Sequence, residues 1–178
     1  MKVTLIGYPT EEDWKEVKRR AMITIYGKGL GEIKAPTVFW RKKILEARHS
    51  PIRRLWYSFL IEDIPSNTSV HLCRHVHAQP YVSSLRNDRQ DAMDGDKAPR
   101  DTPVNMIYDV NAEELMVIAN KRLCLKASEM TRRTVMMMCH EASKMTPEIA
   151  PFLVPMCKYA GCHEMSPCGK ADEERGNL

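Results

Sequence analysis

Apolar and polar positions in the first third of the chain predict a strand, two helices and a second strand. Residues 1–8 alternate as a half-buried strand does, and an acidic first turn after a capping threonine favours a helix over about 10–26. A second helix is expected over about 36–47. The segment 55–64 is rich in aromatic and branched side chains, which indicates a buried strand.

The middle and the C-terminal half show mainly helical patterns. A third helix is expected to begin at 65–66, and 88–100 is polar enough to be an exposed loop. From 112 to 144, apolar residues recur every three or four positions, which predicts one long helix. A shorter helix restarts at 146–148, and the polar segment 165–178 is expected to be a flexible tail.

Composition limits the classes of protein to consider. With 178 residues, of which 43% are hydrophobic, the chain is expected to form one domain over 1–178. The net charge of +4 suits nucleotide phosphates, but the sequence lacks the dense basic face of a nucleic-acid binder. No apolar run approaches about 20 residues and no signal peptide is evident, so we expect a cytoplasmic protein without membrane contact. Because disulfides are rare in that compartment, the cysteines are expected to be thiols.

The chemically richest segment is 69–89, which is crowded with basic, imidazole and hydroxyl side chains. His71, Arg74 and His75 lie at helical spacings i, i+3 and i+4, so the third helix is expected to present them on one face. Such a cluster suits an anionic ligand, because like charges on one face repel unless an anion lies there. The alternatives are a solvated basic helix end and, less readily without an intervening Glu, a metal site on the two histidines.

The run 59–87 resembles the flavin-dependent thymidylate synthase family. That family has the signature R-H-R-x-x-S-x-x-E-x-S-x-R-Y after a strand and a helix of this kind. The block His49-Ser50-Pro51 lies upstream at the expected distance, and the blocks at 111–115 and 120–124 lie downstream. The similarity covers about 48–127, and several blocks in order are more specific than one motif.

The resemblance implies roles for five residues of these blocks. Arg74 and His75 match the opening Arg-His, which lies against the flavin. Ser84 and Arg86 match the Ser-x-Arg that binds the phosphate and sugar of dUMP. Arg122 matches the arginine that hydrogen-bonds the uracil and polarises it, which would be the catalytic role.

Further positions follow from the same resemblance. Ser50, Val76 and Asn111 match residues that bind FAD. His71 occupies the place of a nucleotide-contacting Gln, and Arg100 lies near the position of another phosphate-binding Arg.

The chain departs from the signature at several positions. Val76 replaces the second Arg of the motif, Gln79 its Ser and Val82 its Glu, and Asn87 stands in place of the final Tyr. Upstream, Arg53 stands where the family has Glu, and Arg48 aligns with its His. These changes remove donors and acceptors from the flavin end of the expected site.

The fold and function that the resemblance implies are therefore specific. We expect an α+β fold like that of the thymidylate synthase-complementing proteins, with a mainly antiparallel sheet flanked by helices. The expected activity is FAD-dependent methylation of dUMP to dTMP with methylenetetrahydrofolate and NADPH, by a homotetramer whose subunits share active sites. The alternatives are a divergent flavoenzyme that acts on another pyrimidine nucleotide and a nucleotide-binding homologue without catalysis.

A second candidate site lies near the C-terminus. Cys157, Cys162, His163 and Cys168 offer three sulfurs and an imidazole within twelve residues, which would suffice for a tetrahedral zinc. Their spacings are wider than the usual zinc knuckle, so reduced thiols are the favoured interpretation.

Overall fold

The computed structural model describes residues 1–27, 31–89 and 94–170. Within these ranges the chain forms four strands and six α helices, joined by short 3-10 segments. The strands are β1 (Lys2–Gly7), β2 (Trp56–Pro65), β3 (Ala78–Val82) and β4 (Pro103–Asn111). The helices are α1 (Glu11–Tyr26), α2 (Val38–Glu46), α3 (Ser66–Cys73), α4 (Ala112–Arg122), α5 (Glu129–Met145) and α6 (Met156–Tyr159).

The four strands form one sheet in the order β1-β2-β4-β3, and every neighbouring pair is antiparallel. One face carries fully buried side chains such as Tyr57, Phe59 and Tyr108, and helices pack against it. The opposite face leaves Tyr81 and Ile107 exposed. The expected α+β fold with an antiparallel sheet and flanking helices is confirmed.

The N-terminal elements agree with the expectations from the hydrophobic pattern. Thr10 and Asp13 form a reciprocal capping box, in which the Thr10 hydroxyl accepts from the Asp13 amide (3.3 Å) and the Asp13 carboxylate accepts from the Thr10 amide (2.9 Å). Helix α1 ends at Tyr26 and is capped by Gly27, whose φ of 62° is a left-handed conformation that glycine adopts without strain. Strands β1 and β2 and helix α2 lie within about two residues of their predicted positions.

Strand β4 was not predicted, although its sequence carries the signal. Burial alternates along it: Val104, Met106 and Tyr108 are buried, whereas Asn105 and Ile107 are exposed. The strand lies in the middle of the sheet, between β2 and β3. The expected loop over 88–100 contains two 3-10 turns, and residues 90–93 lie outside the described part.

The single long helix predicted over 112–144 is wrong. Helix α4 ends at Arg122, and α5 begins after Ser128, whose hydroxyl accepts from the amide of Thr131 (3.4 Å). The turn between them lets both helices pack on the same core, so the apolar spacing continues although the axis does not. The short helix expected at 146–148 is a 3-10 segment, and the tail beyond residue 170 lies outside the described residues.

The buried side chain of Arg41 on α2 connects this helix to the start of α1 and to the 3-10 segment after α5. The Arg41 guanidinium lies 3.2 Å from the Glu148 carboxylate and also pairs with Glu11. Its Nε donates to the Pro36 carbonyl (3.2 Å), and its carbon lies 5.1 Å from the Trp14 ring centroid. Each nitrogen of this buried cation therefore has a partner, which burial of a charge requires.

No helix in the described ranges is long and apolar enough to cross a membrane.

Candidate functional site

Helix α4 enters the protein interior directly from the end of β4. Asn111 is its N-cap, and the side-chain oxygen accepts from the amide of Glu114 (3.0 Å). Asn111 and Glu114 are both buried, at 7% and 6% exposure. A carboxylate on the first turn of a helix is favoured by the helix dipole, but one that is buried also needs a hydrogen-bonding partner.

The partner comes from the chain just after α3. That helix stops at Cys73, Arg74 is its C-cap, and the His75 amide donates to the Leu72 carbonyl (3.1 Å). The Tyr108 hydroxyl on β4 donates to the same carbonyl (3.1 Å), which holds this turn against the sheet. The expectation that His75 continues the face of α3 is therefore wrong, because the helix ends two residues earlier.

Glu114, His75 and Arg122 form a hydrogen-bonded array, which we call the α4 array. His75 Nδ1 lies 3.0 Å from Glu114 Oε1, and Arg122 Nε lies 3.1 Å from His75 Nε2. Arg122 Nη2 also donates to the His71 carbonyl (3.1 Å). Because an arginine can only donate, His75 Nε2 must accept, and the imidazole is neutral with its proton on Nδ1.

The electrostatics of the α4 array favour the same protonation state. Burial lowers the pKa of His75 because it penalises the charged imidazolium, and the nearby Arg122 cation lowers it further. The hydrogen bond to Glu114 and its negative charge act in the opposite direction, but the resulting pKa is below the ordinary value of 6.5. His75 is therefore neutral at pH 7.

Protein stability is expected to fall as the pH decreases below about 6.5. The pKa of His75 is lower in the folded than in the unfolded chain, so the unfolded chain binds more protons between the two values. The free energy of unfolding then decreases with decreasing pH, by at most about 1.4 kcal/mol per pH unit for one group. Urea denaturation from pH 7.5 to 5 measures this slope.

The variant His75→Gln provides the control for this prediction. Glutamine offers Arg122 an acceptor but does not titrate in this range, so the slope should become shallower. Equal slopes for the two proteins would show that His75 is not the group responsible.

The structure brings together only some of the residues singled out from the sequence. His75 and Arg122 meet in the α4 array, His71 contributes its backbone carbonyl, and Asn111 is linked through the Glu114 amide. All of Arg122's contacts to the array come from residues at least 47 positions away along the chain.

The residues expected to bind phosphate form a separate group. The Ser84 hydroxyl accepts from the Arg86 amide (3.2 Å). The Arg86 guanidinium makes two parallel bonds to the Asp88 carboxylate, at 2.9 and 3.0 Å. Both side chains of this pair are exposed, so a phosphate would have to displace the Asp88 carboxylate.

Ser50, Arg74, Val76 and Arg100 are exposed. In the described part of the chain, no hydrogen bond or ion pair joins their side chains to the α4 array. The Val76 side chain is 84% exposed and carries no polar atom. The cofactor-binding and phosphate-binding roles of these four positions stay predictions.

A second cluster fixes the C-terminal end of α4. Arg48 Nη2 donates to the Asn120 side-chain oxygen (2.6 Å), and its Nε donates to the Tyr159 hydroxyl (3.2 Å). Asn120 in turn donates to the Val154 carbonyl (2.6 Å). The Arg48 guanidinium also lies 4.4 Å from the Tyr159 ring centroid. Since Asn120 precedes Arg122 by two residues, these bonds set the position of the helix end.

A cavity of about 960 Å³ opens beside this helix end. Asn120, Lys121 and Leu123, which flank Arg122, are part of its wall. The remainder comes from residues 124–126 between α4 and α5, from the start of α5 and from residues 153–170, with more apolar than polar surface. Six lysine or arginine side chains line it against two glutamates: Lys121, Lys126, Arg132, Arg133, Lys158 and Lys170, with Glu129 and Glu164. The cavity therefore suits a ligand with an apolar body and a negative charge.

The cysteine and histidine residues of the zinc alternative line the same cavity: Cys157, Cys162, His163 and Cys168. Across residues 1–27, 31–89 and 94–170, however, no group of three or more His, Cys, Asp or Glu side chains is arranged to hold a metal ion. The geometry therefore gives the zinc alternative no support.

The fold matches solved structures of nucleotide-modifying enzymes. Flavin-dependent thymidylate synthase ThyX of Helicobacter pylori, crystallised with FAD and dUMP, matches with a TM-score of 0.68 at 14% identity, over 86% of this chain and 100% of the other. A second crystal structure of that enzyme with FAD and dUMP gives a TM-score of 0.67 at 15% identity, over 86% and 99% of the two chains.

This chain has the fold of the flavin-dependent thymidylate synthases. The UMP/dUMP methylase PolB of Streptomyces cacaoi, bound to 5-Br dUMP, also shares it, with a TM-score of 0.64 at 14% identity over 85% and 93% of the two chains. No protein-family model matches the sequence. No curated protein matches it by sequence either.

Sequence reasoning missed Glu114 as part of the site. Its position after Asn111 indicates a helix start, and a glutamate there is normally explained by the helix dipole. Nothing local distinguishes Glu114 from Glu113, which is half-buried and pairs with Arg53 near the surface. Only the packing of α4 against the turn after α3 shows which carboxylate faces the histidine.

Proposed function

We propose that this protein methylates the pyrimidine ring of dUMP to give dTMP, as a FAD-dependent thymidylate synthase. The observation that carries this proposal is the α4 array, in which Arg122 is held at two points by His75 and the His71 carbonyl. Arg122 is also the residue that the family resemblance assigns to the pyrimidine. The fold shared with a thymidylate synthase crystallised with FAD and dUMP supports the proposed activity.

Arg122 would act by electrostatic stabilisation. Among the residues that the structure describes, two of its five N–H groups have acceptors, and the other three would be directed at a ligand. A guanidinium whose orientation is already fixed can stabilise negative charge on the pyrimidine ring without reorganisation during the reaction. Ser84 and Arg86 would bind the phosphate end of the nucleotide.

The side chains of the 960 Å³ cavity fit a flavin dinucleotide in their chemistry. Arg132 and Arg133 would pair with the diphosphate, and Leu123 and Leu153 would contact the flavin ring. None of the five positions that the resemblance assigns to FAD lines this cavity. Bound FAD, reduced by NADPH, supplies the hydride of the proposed reaction, and methylenetetrahydrofolate supplies the carbon.

A second candidate function is methylation of a different pyrimidine nucleotide, such as UMP. Two observations favour it: the altered signature positions, among them Val76 and Val82, and the shared fold of a UMP/dUMP methylase. Loss of the motif glutamate at Val82 removes an acceptor for nucleotide hydroxyl or amide groups.

The decisive experiment combines flavin binding with tritium release. Protein purified with FAD should show a flavin absorbance band, and 5-tritiated dUMP should release tritium when methylenetetrahydrofolate and NADPH are added. Release from 5-tritiated UMP but not from dUMP would favour the second candidate. Protein that takes up no FAD and releases no tritium from either nucleotide would refute both.

The cavity assignment is tested separately by flavin fluorescence. Arg133→Ala should weaken FAD binding by about tenfold, because it removes a charged partner of the diphosphate. Lys144→Ala is the matched control, since Lys144 is an exposed cation on the same helix outside the cavity. Equal FAD affinities for the two variants would place the flavin elsewhere.

Substitutions of Arg86 and of Asp88 by alanine should have opposite effects on the affinity for dUMP. Arg86→Ala is expected to weaken dUMP binding by about tenfold or more, because it removes a bidentate phosphate donor. Asp88→Ala is expected to strengthen dUMP binding by about threefold, because the Arg86 guanidinium then has no carboxylate bonds to break before it binds the phosphate. Isothermal titration with dUMP measures both effects, and Arg89→Ala is the control. Weaker binding by Asp88→Ala would contradict this role of Arg86.

The expected homotetramer also remains a proposal. The uncovered face of the sheet supports self-association, because Trp56, Tyr81 and Ile107 are exposed there on three adjacent strands. Light scattering coupled to size-exclusion chromatography measures the oligomeric state. Tyr81→Glu should shift a tetramer towards smaller species, and a monomeric wild type would refute the proposal.

A further inference from the structure

Glu114 is a buried carboxylate to which the family signature assigns no role. Its side chain is 8% exposed, and its partner is the His75 ring, itself 10% exposed. The helix-capping function at this turn is already performed by Asn111, whose side chain accepts from the Glu114 amide. The Glu114 carboxylate is therefore not needed to cap α4, and its burial requires a different explanation.

We infer that Glu114 is a positioning residue that holds the His75 ring with its proton on Nδ1, so that Nε2 fixes the Arg122 guanidinium for the pyrimidine ring. The last clause rests on the proposed function. The first part, the control of the His75 tautomer, does not depend on it.

The donor and acceptor inventory leads to this assignment. A neutral imidazole has one N–H and one lone pair, and either nitrogen can carry the proton. If the proton were on Nε2, it would point at the Nε–H of Arg122, and two donors would face each other at 3.1 Å. A carboxylate 3.0 Å from Nδ1 accepts a hydrogen there and so selects the other tautomer.

Few other groups around His75 could select the tautomer of its ring. Tyr108 on β4 directs its hydroxyl to the Leu72 carbonyl, and Arg74 beside His75 is exposed. Arg122 faces Nε2 from α4, and His71 contacts Arg122 only through its backbone carbonyl. In the part of the chain that the structure describes, Glu114 is the group bonded to Nδ1.

The positioning role predicts the opposite result from a simple charge effect. Glu114 carries a negative charge near the cation that would bind an anionic nucleotide. If Glu114 acted only as a charge, both Glu114→Ala and Glu114→Gln would strengthen dUMP binding. If it positions His75, Glu114→Ala weakens dUMP binding, whereas Glu114→Gln, which retains an oxygen acceptor, weakens it less.

The binding experiment compares Glu114→Ala, Glu114→Gln and Glu113→Ala by isothermal titration with dUMP at pH 7.5. Glu114→Ala is expected to raise the dissociation constant by about tenfold, since a fixed donor becomes mobile. Glu113→Ala is the matched control: it removes a carboxylate from the same helix turn, but one that pairs with Arg53 instead of His75. Tighter binding by Glu114→Ala, or equal losses for Glu114→Ala and Glu113→Ala, would overturn the inference.

A spectroscopic experiment begins with the wild-type protein, whose tautomer can be measured without any substitution. The ring nitrogens of His75 should show the Nδ1–H tautomer in ¹⁵N-resolved spectra at pH 7.5. In Glu114→Gln the pKa of His75 should fall below its wild-type value, because the carboxylate raises that pKa. An Nε2–H tautomer in the wild type, or an unchanged pKa in Glu114→Gln, would overturn the inference.

The two experiments separate this inference from the proposed function. If the wild type binds no dUMP in the presence of FAD, the proposed function fails, and the tautomer alone decides the role of Glu114. If the wild type binds dUMP and releases tritium but Glu114→Ala does both equally well, the inference fails and the proposed function stands.

Discussion

Arg122→Ala is expected to lower kcat for tritium release from dUMP by about 10²–10³-fold, the usual cost of removing one preorganised charge-stabilising donor. The loss should appear in kcat, because the negative charge on the ring is largest in the transition state, and dUMP affinity should also fall by at least about tenfold, because the ring loses a hydrogen-bond donor. Flavin should stay bound, since Arg122 is not part of the cavity wall. Steady-state kinetics with saturating FAD and folate measure this effect.

A titration of His75 provides a second observable for the same variant. The Arg122 cation lowers the pKa of His75, so this pKa should rise in Arg122→Ala. Arg122→Lys should restore little activity, because an ammonium cannot bond His75 Nε2 and the His71 carbonyl in the same planar arrangement. Arg53→Ala is the control, an exposed arginine that pairs with the first turn of α4. Wild-type turnover in Arg122→Ala would refute the catalytic role.

Arg41→Ala is expected to lower the free energy of unfolding by about 3–5 kcal/mol. The substitution would leave the Glu148 carboxylate, which is 8% exposed, without its cation in the interior. It would also remove the hydrogen bond to the Pro36 carbonyl and the contact with the Trp14 ring. Urea denaturation at pH 7.5 measures the change.

Two further variants separate the buried charge from packing. Arg41→Ala combined with Glu148→Gln should recover part of the loss, because no unpaired carboxylate then remains buried. Lys43→Ala lies on the same helix and breaks an exposed pair with Glu46, so its effect should stay below about 1 kcal/mol. A loss for Arg41→Ala as small as that for Lys43→Ala would show that the buried pair does not stabilise the fold.

Local signals in the sequence were sufficient where an element is specified by its own residues. Thr10 and the acidic residues after it define the start of α1, and the alternation at 1–8 defines β1. Strand β4 carries an equally clear alternation of buried and exposed positions, so its own residues also specify it. The division of the long helix is different, because Ser128 caps α5 in the middle of an apolar spacing that continues on both sides.

In the candidate site, too, some features were predictable from the sequence and others were not. The resemblance to the flavin-dependent thymidylate synthases singled out Arg122 and Asn111, and His75 stood out already as part of a basic cluster at helical spacing. The sequence did not show that Arg86 is bound by Asp88 two residues later. It also placed His75 on a helix face, whereas the chain leaves α3 before reaching it.

Local patterns in the sequence specify the secondary structure from β1 to the start of α3, and they show the residue types available for nucleotide chemistry. Such strands and helices depend on interactions within about four residues, and the order of the side chains encodes these interactions directly. Tertiary structure alone decided that Glu114 faces His75, 39 positions away, and that His75 faces Arg122, 47 positions away. These contacts arise because β4 pairs with β2 and β3, so that α4, which follows β4 directly, begins beside the end of α3. The local hydrophobic pattern does not specify which elements lie next to each other.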